Sequence, residues 1–217
     1  MIVAAAVCPQ PPLLIPAVAQ GAAGDLAEVR EACMRAITAV LSCDLDLVAI
    51  VGSGPTPGMW DESSGGSLAA YGTDVRAGGR TDDLPLSLTI GAWLLDQAGW
   101  SGARSYLVLP GNLDFVSGRV GLLVMADGTA KRSTAAPGYF DERAEGFDTY
   151  VATALSAGDT DALHSLDEAL AIELWSSGVP ALKALGHLTK GASLDATMHY
   201  DAAPLGVCYW VADWRVV

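Results

Sequence analysis

Histidine is scarce in this chain, with three in 217 residues, and basic side chains number twelve against twenty-five acidic ones. The shortage of positive charge leaves a net charge of -13. That charge repels phosphate backbones and anionic membrane surfaces, so nucleic acid is excluded as an expected partner. The four cysteines, Cys8, Cys33, Cys43 and Cys208, have no CxxC spacing. This excludes a disulfide framework and a paired-cysteine zinc site, and they read as buried reduced thiols. No apolar run approaches the roughly 18 residues that a membrane span needs. The apolar N-terminus, residues 1–7, has no basic region ahead of it and is closely followed by Pro9, so it reads as a first strand rather than a signal peptide. The expected address is the cytoplasm.

What the chain has is apolar substance. Hydrophobic residues make up 51% and charged residues 17%, which excludes a disordered or solvating chain. Its length suits a single domain, residues 1–217, able to bury a full core. Ile2–Cys8 is a continuous apolar run ending in prolines, the mark of a strand buried on both faces. Asp25 and Glu28 form a capping-box-like start, after which Leu26, Val29, Cys33, Ile37 and Val40 recur at helical spacing. Residues 45–51 are a second buried strand closed by Gly52 and Gly54. Strand, helix, strand in this order implies a parallel pair joined by a right-handed crossover.

Further along, residues 53–83 are rich in Gly, Ser, Pro and Asp. A strand is expected near 68–76, with 55–66 as a surface loop that carries Trp60. A helix over 84–98 turns Leu86, Ile90, Trp93 and Leu94 inward. Residues 106–109 and Val120–Met125 are strands separated by a turn at Pro110, Gly111 and Asn112. Asp141 caps a helix to about Leu155, with Phe147, Tyr150 and Val151 on its apolar face. Leu166, Leu170, Leu174 and Trp175 mark another helix, stopped by Gly178, and Pro180 opens the next. Residues 196–200 and 205–214 form closing strands. The expected fold class is α/β, with a mixed, mostly parallel central sheet and helices on both faces.

The most informative segment is Cys8-Pro9-Gln10-Pro11-Pro12-Leu13-Leu14-Ile15-Pro16. Prolines rule out both helix and ladder pairing, so Gln10 is held rigidly just past strand one, where ligands of open α/β sheets gather. Read on composition alone, the segment is a strand terminator with a chance glutamine. In this segment the chain resembles the class III extradiol ring-cleavage dioxygenases, the superfamily of the protocatechuate 4,5-dioxygenase β subunit, which also includes the Memo proteins. Their signature is a strand followed by Pro-His-Pro-Pro and an apolar stretch. Weaker echoes are Leu122-Leu123-Val124-Met125-Ala126-Asp127-Gly128-Thr129, Ala136-Pro137-Gly138-Tyr139 and Pro204-Leu205-Gly206-Val207-Cys208-Tyr209.

The resemblance implies a site where two histidines and a glutamate hold Fe(II) and a further histidine moves protons. Here Gln10 stands at the first histidine. Only Gly52, Ser53 and Gly54 stand where the second is expected, and no histidine accompanies Asp127-Gly128-Thr129-Ala130. Iron belongs to active relatives; none is expected here, nor is ring cleavage. His199 lies in the region from which the family draws its third ligand, beside Tyr200 and Asp201. His164 reads as a solvated surface residue and His187 as a helix-end residue. The candidate pocket is therefore Gln10, Ser53, Asp127, His199 and Asp201, with His199 or Asp201 facing the same cavity as Gln10.

Other signatures fail. There is no Walker loop, and Ser53 lacks the flanks of a nucleophile elbow. Asp127-Gly128 also reads as a plain turn, and Lys131-Arg132 as a solvated basic pair. The expected function is a dioxygenase-like domain that has lost its iron site and keeps a pocket for a small molecule or a protein partner. Two alternatives stand beside it: an active oxidoreductase with a rebuilt metal site, and a non-catalytic scaffold. Homo-oligomerisation stays open.

Overall fold

A computed structural model describes residues 1–109 and 117–217. The N-terminal run is strand β1 (Ile2–Cys8), buried from its second residue onward. Pro12–Leu14 and Pro16–Ala19 (α1) wind the chain away from its end, and α2 (Ala27–Leu41) returns across the sheet. Then follow β2 (Leu47–Gly52), β3 (Gly58–Trp60), β4 (Gly65–Ser67), β5 (Arg76–Gly78), α3 (Leu86–Gln97), β6 (Ala103–Val108) and β7 (Val120–Met125). The last third holds α4 (Arg143–Ala157), α5 (Thr160–His164), α6 (Glu168–Glu173), α7 (Val179–Leu188), β8 (Leu194–Ala202) and β9 (Tyr209–Val216).

The described residues form one seven-stranded sheet in the order β3-β6-β2-β7-β1-β9-β8 and a separate β4-β5 pair. The four central strands run parallel; β3 on one side and β9 on the other pair antiparallel with them, and β8 pairs antiparallel with β9. The architecture is thus α/β with a mixed sheet that is parallel at its centre. Strands β1 and β2 are parallel as expected, but they do not pair: β7 lies between them.

Side chains alternate between two cores. Ala4, Ala6 and Cys8 of β1 join Val48 and Ile50 of β2 under α2 and α3. Ala5 and Val7 join Ala49, Val51, Leu122 and Val124 under α4, α5 and α7. Burial on both faces is why these strands are apolar without alternation. Among the described residues no helix is long and apolar enough to cross a membrane.

Several local expectations are corrected. Helix α2 starts at Ala27 with no side-chain cap, because residues 20–25 coil as 3-10 and turn structure, so Asp25 lies outside it. The strand expected at 68–76 is instead a 3-10 turn (Ala69–Tyr71) and irregular chain until Arg76 enters β5, and the loop expected at 55–66 contains β3. Trp60 is half-buried against the core. Asp141 sits two residues before α4, yet its Oδ1 accepts the Arg143 N–H at 3.0 Å, as a cap would. Tyr150 and Trp175 are exposed rather than inward. The turn at Pro110–Asn112 lies outside the described residues.

One buried polar cluster fixes the loop after β7. Asp148 on α4, 1% exposed, accepts the Thr129 N–H at 2.9 Å, the Thr129 hydroxyl at 2.7 Å and the Arg132 guanidinium at 3.1 Å. Removing the carboxylate strands two buried donors and a partly buried cation. Asp148→Ala is therefore expected to lower unfolding free energy by about 2–4 kcal/mol in urea titrations followed by tryptophan fluorescence. Asp148→Asn, which keeps one acceptor, should recover part of that loss.

Candidate functional site

Because β2, β7 and β1 are neighbours and parallel, their C-terminal ends emerge side by side. The residues just past them are Ser53, Asp127 and Gln10. The Gln10 backbone N–H donates to Asp127 Oδ1 at 2.8 Å. Its side-chain Nε2 donates to Ser53 Oγ and to Ser177 Oγ, each at 3.0 Å. One residue thus ties together the ends of three strands and the turn between α6 and α7. Gln10 is 7% exposed, and its Oε1 is buried with no hydrogen-bond partner among the described residues. Such an orphan acceptor costs about 1–3 kcal/mol, so the amide stands here against its own energetic interest.

Ser177 reaches Gln10 because Gly178 follows it. A Cβ on Gly178 would run into Ala126 and lie 2.9 Å from the Asp127 nitrogen, so only glycine lets this turn press against the end of β7. Gly178 was expected to stop a helix; it is instead the N-cap of α7 at φ -80°, and its role is close approach. The adjoining Ser176 hydroxyl donates to the Asp127 carbonyl at 3.1 Å. Trp175 takes φ +59°, which swings it out of the α6 path and onto the rim. The Lys131 ammonium lies 5.7 Å from the centroid of that ring. On the opposite wall, the Ser87 hydroxyl at the start of α3 donates to the Ser53 carbonyl.

These groups surround a cavity of about 600 Å³. Its walls are mainly apolar and stiff: Pro11, Pro12, Pro55, Pro85 and Pro137, with Trp175 and Leu205. The polar groups are few, namely Gln10, Ser53, Ser87, Ser177, Asp127 and Tyr209. No Lys, Arg or His is among the described lining residues. Asp127 is the one carboxylate among those described residues. Burial raises it to about 7, against the opposing pull of the Gln10 N–H. Tyr209 forms an isolated bridge with Asp127 and is almost wholly buried; burial and the neighbouring carboxylate push its phenol well up.

Of the five residues singled out from sequence, Gln10, Ser53 and Asp127 line this cavity and His199 and Asp201 do not. His199 lies on β8, the edge strand, with β9 between it and β1, a lateral separation of roughly 10 Å at about 4.8 Å per strand. The β8 register shifts between Met198 and Tyr200, and His199 pairs with the buried Asp213 of β9 at 2.5 Å. Asp201 lies beside Cys208 Sγ at 3.9 Å and a shallow hollow on α4. His164 and His187 are exposed on α5 and α7, with ring centroids 5.9 Å apart. Of the basic pair, Arg132 is engaged with Asp148 and Glu145. The closing strand contributes Tyr209 instead. That residue ends the Pro204–Tyr209 segment singled out in the sequence, whereas Ser177 and Trp175 carried no signal.

Iron is the metal that the family resemblance implies. A neutral amide, hydroxyls and one carboxylate already accepting a hydrogen bond do not make a two-histidine, one-carboxylate site. No group of three His, Cys, Asp or Glu side chains forms among the described residues. The residues at the strand ends do not fit Fe(II). No protein-family model and no curated protein matches the chain.

The raised Asp127 carboxyl has a stability consequence with a definite sign. A group held above its ordinary value near 4 binds its proton more tightly in the native state. Its contribution is full below about pH 4, falls as pH rises through about 7, and stays lost above. Asp127→Asn keeps an acceptor for the Gln10 N–H. It should be more stable than the parent at pH 8 by about 2–4 kcal/mol, the gap closing towards pH 4, as chemical denaturation across that range would show. His199→Ala should cost about 1–3 kcal/mol by leaving Asp213 buried and unpaired, while binding in the cavity, read by calorimetry, stays unchanged.

Proposed function

We propose that this protein is a class III extradiol dioxygenase-like domain in which neutral side chains have replaced the iron ligands, and that it binds a small, uncharged, largely apolar molecule at the strand ends. The observation that carries the reading is convergence. Gln10, Ser53 and Asp127 are three residues distant in sequence, at or near the stretches where the family resemblance would place its histidines, and they line one cavity. A volume of about 600 Å³, stiff apolar walls and a few convergent polar groups are the usual make-up of a small-molecule site.

The chemistry of the walls narrows the occupant. An anion would meet no cationic side chain among the described lining residues, the Lys131 ammonium being engaged on the Trp175 ring at the rim, and would face Asp127. A buried unpaired charge is costly, so a neutral ligand is favoured over a carboxylate of the same shape. The exposed Trp175 indole offers a flat surface for an aromatic or aliphatic ring.

Two matched probes test this by isothermal titration calorimetry at pH 8: the neutral ketone phenylacetone and the anion phenylacetate. Phenylacetone should bind at least about 10-fold more tightly, and Ser177→Trp, which fills the cavity, should abolish its binding. Equal or tighter binding of phenylacetate, or no binding of phenylacetone, would overturn the reading.

A further inference from the structure

Gln10 does more than close a network, because it decides which protons of its neighbours are free. Its Nε2 carries two N–H groups, one given to Ser53 Oγ and the other to Ser177 Oγ. Each serine oxygen is thereby an acceptor towards the amide. Neither serine hydroxyl donates to a protein group among the described residues, and both line the cavity. A hydroxyl has one proton to give, and here both protons can be directed at a ligand oxygen. At its other end the same residue holds Asp127 by one carboxyl oxygen; the second oxygen takes no hydrogen bond among the described residues. Two hydroxyl donors and one carboxylate therefore line one apolar chamber, the hydroxyls hydrogen-bonded to the side chain of Gln10 and the carboxylate to its backbone.

We propose that this chamber is a metal-free site for proton transfer next to a carbonyl group, with Asp127 as the base and the Ser53 and Ser177 hydroxyls holding the carbonyl oxygen. The proposal rests on the binding reading above and deepens it. The substrate class is a neutral, mainly apolar ketone or aldehyde with a hydrogen on the adjacent carbon. The C–H bond breaks, its proton passes to the Asp127 carboxylate, and its electron pair forms the carbon–carbon double bond of an enolate. The carbonyl π pair moves to the oxygen, where the two hydroxyls meet the growing charge. Asp127 then returns the proton to carbon or to oxygen. Nothing is oxidised or reduced and no further reactant enters.

The surroundings suit each step. A base serves best when its pKa lies near the working pH, and burial brings Asp127 to about 7. Apolar walls strengthen the hydroxyl–oxyanion contacts, and the open mouth of the cavity lets the Asp127 carboxyl exchange its proton with solvent between turnovers. Tyr209, the other ionisable group against Asp127, is held well above its usual range and stays neutral.

The test is exchange of the α-protons of phenylacetone in D2O at pD 7.5, followed by proton NMR, with binding measured on the same samples by calorimetry. The protein should accelerate exchange over buffer by about 100-fold or more. Asp127→Asn should remove that acceleration, and Ser53→Ala and Ser177→Ala should each reduce it about 10- to 100-fold with folding checked by circular dichroism. Binding of phenylacetone without exchange above buffer, or exchange indifferent to Asp127→Asn, would overturn this proposal and leave the binding reading standing. Absence of binding would overturn both.

Discussion

The three hydrogen bonds of Gln10 are the constraint on which the strand-end architecture depends. A parallel sheet leaves its C-terminal strand ends as loose loops unless something ties them. Here the tie is one residue, held by prolines on both sides, that grips β7 by its backbone and β2 and the α6–α7 turn by its side chain. Proline at positions 9, 11 and 12 removes the alternative conformations that the chain would otherwise have to lose. The glutamine is consequently placed by covalent stiffness as much as by its partners. Gly178 supplies the complementary freedom, letting Ser177 come close enough to be gripped.

A consequence of that arrangement is an electrically quiet cavity in an acidic protein. With a net charge of -13, a group of carboxylates at the strand ends would be expected to attract cations. Among the described lining residues the site instead holds a single carboxyl, and its proton affinity is raised by burial. An amide in place of an imidazole fits this pattern. It holds Ser53 and Ser177 in place without acquiring charge, which leaves Asp127 as the group among the described lining residues whose charge changes near neutral pH. Metal coordination and neutral binding make opposite demands on the same positions, and the side chains present answer the second.

How far the sequence revealed this depends on whether burial or close packing shaped each segment. Strands β1 and β7 were legible because both faces are buried, which forces unbroken apolar runs. Helix α2 was legible because Val29, Cys33, Ile37 and Val40 follow the helical repeat onto the core. Strands β4 and β5 were not. Three of their six residues are glycines, and at Gly66 a Cβ would collide with Thr89, so the steric demand that selects glycine erases the pattern that announces a strand. Trp175 was misassigned because a left-handed residue ends α6 and turns an apolar side chain to the rim. At the site, Gln10, Ser53 and Asp127 could be found because each lies within two residues of the end of a buried strand. Ser177 could not, since its position depends on packing between segments far apart in sequence.

The misplacement of His199 and Asp201 has a physical explanation of its own. Strand β8 is a sheet edge, with unpaired backbone groups along its outer side that could template association with another strand. A register shift at His199 bends it, and its pattern of exposed and half-buried residues includes Asp195 and Asp201. Charges and bulges are the usual means of blunting such an edge. The His199–Asp213 pair anchors the bend to β9, whose remaining inward residues are apolar. These polar residues therefore stand near the end of the chain for the sake of the edge, while Tyr209, one strand further in, is the residue that the closing pair delivers to Asp127. The opposite edge, β3, needs no such device, because it is only three residues long.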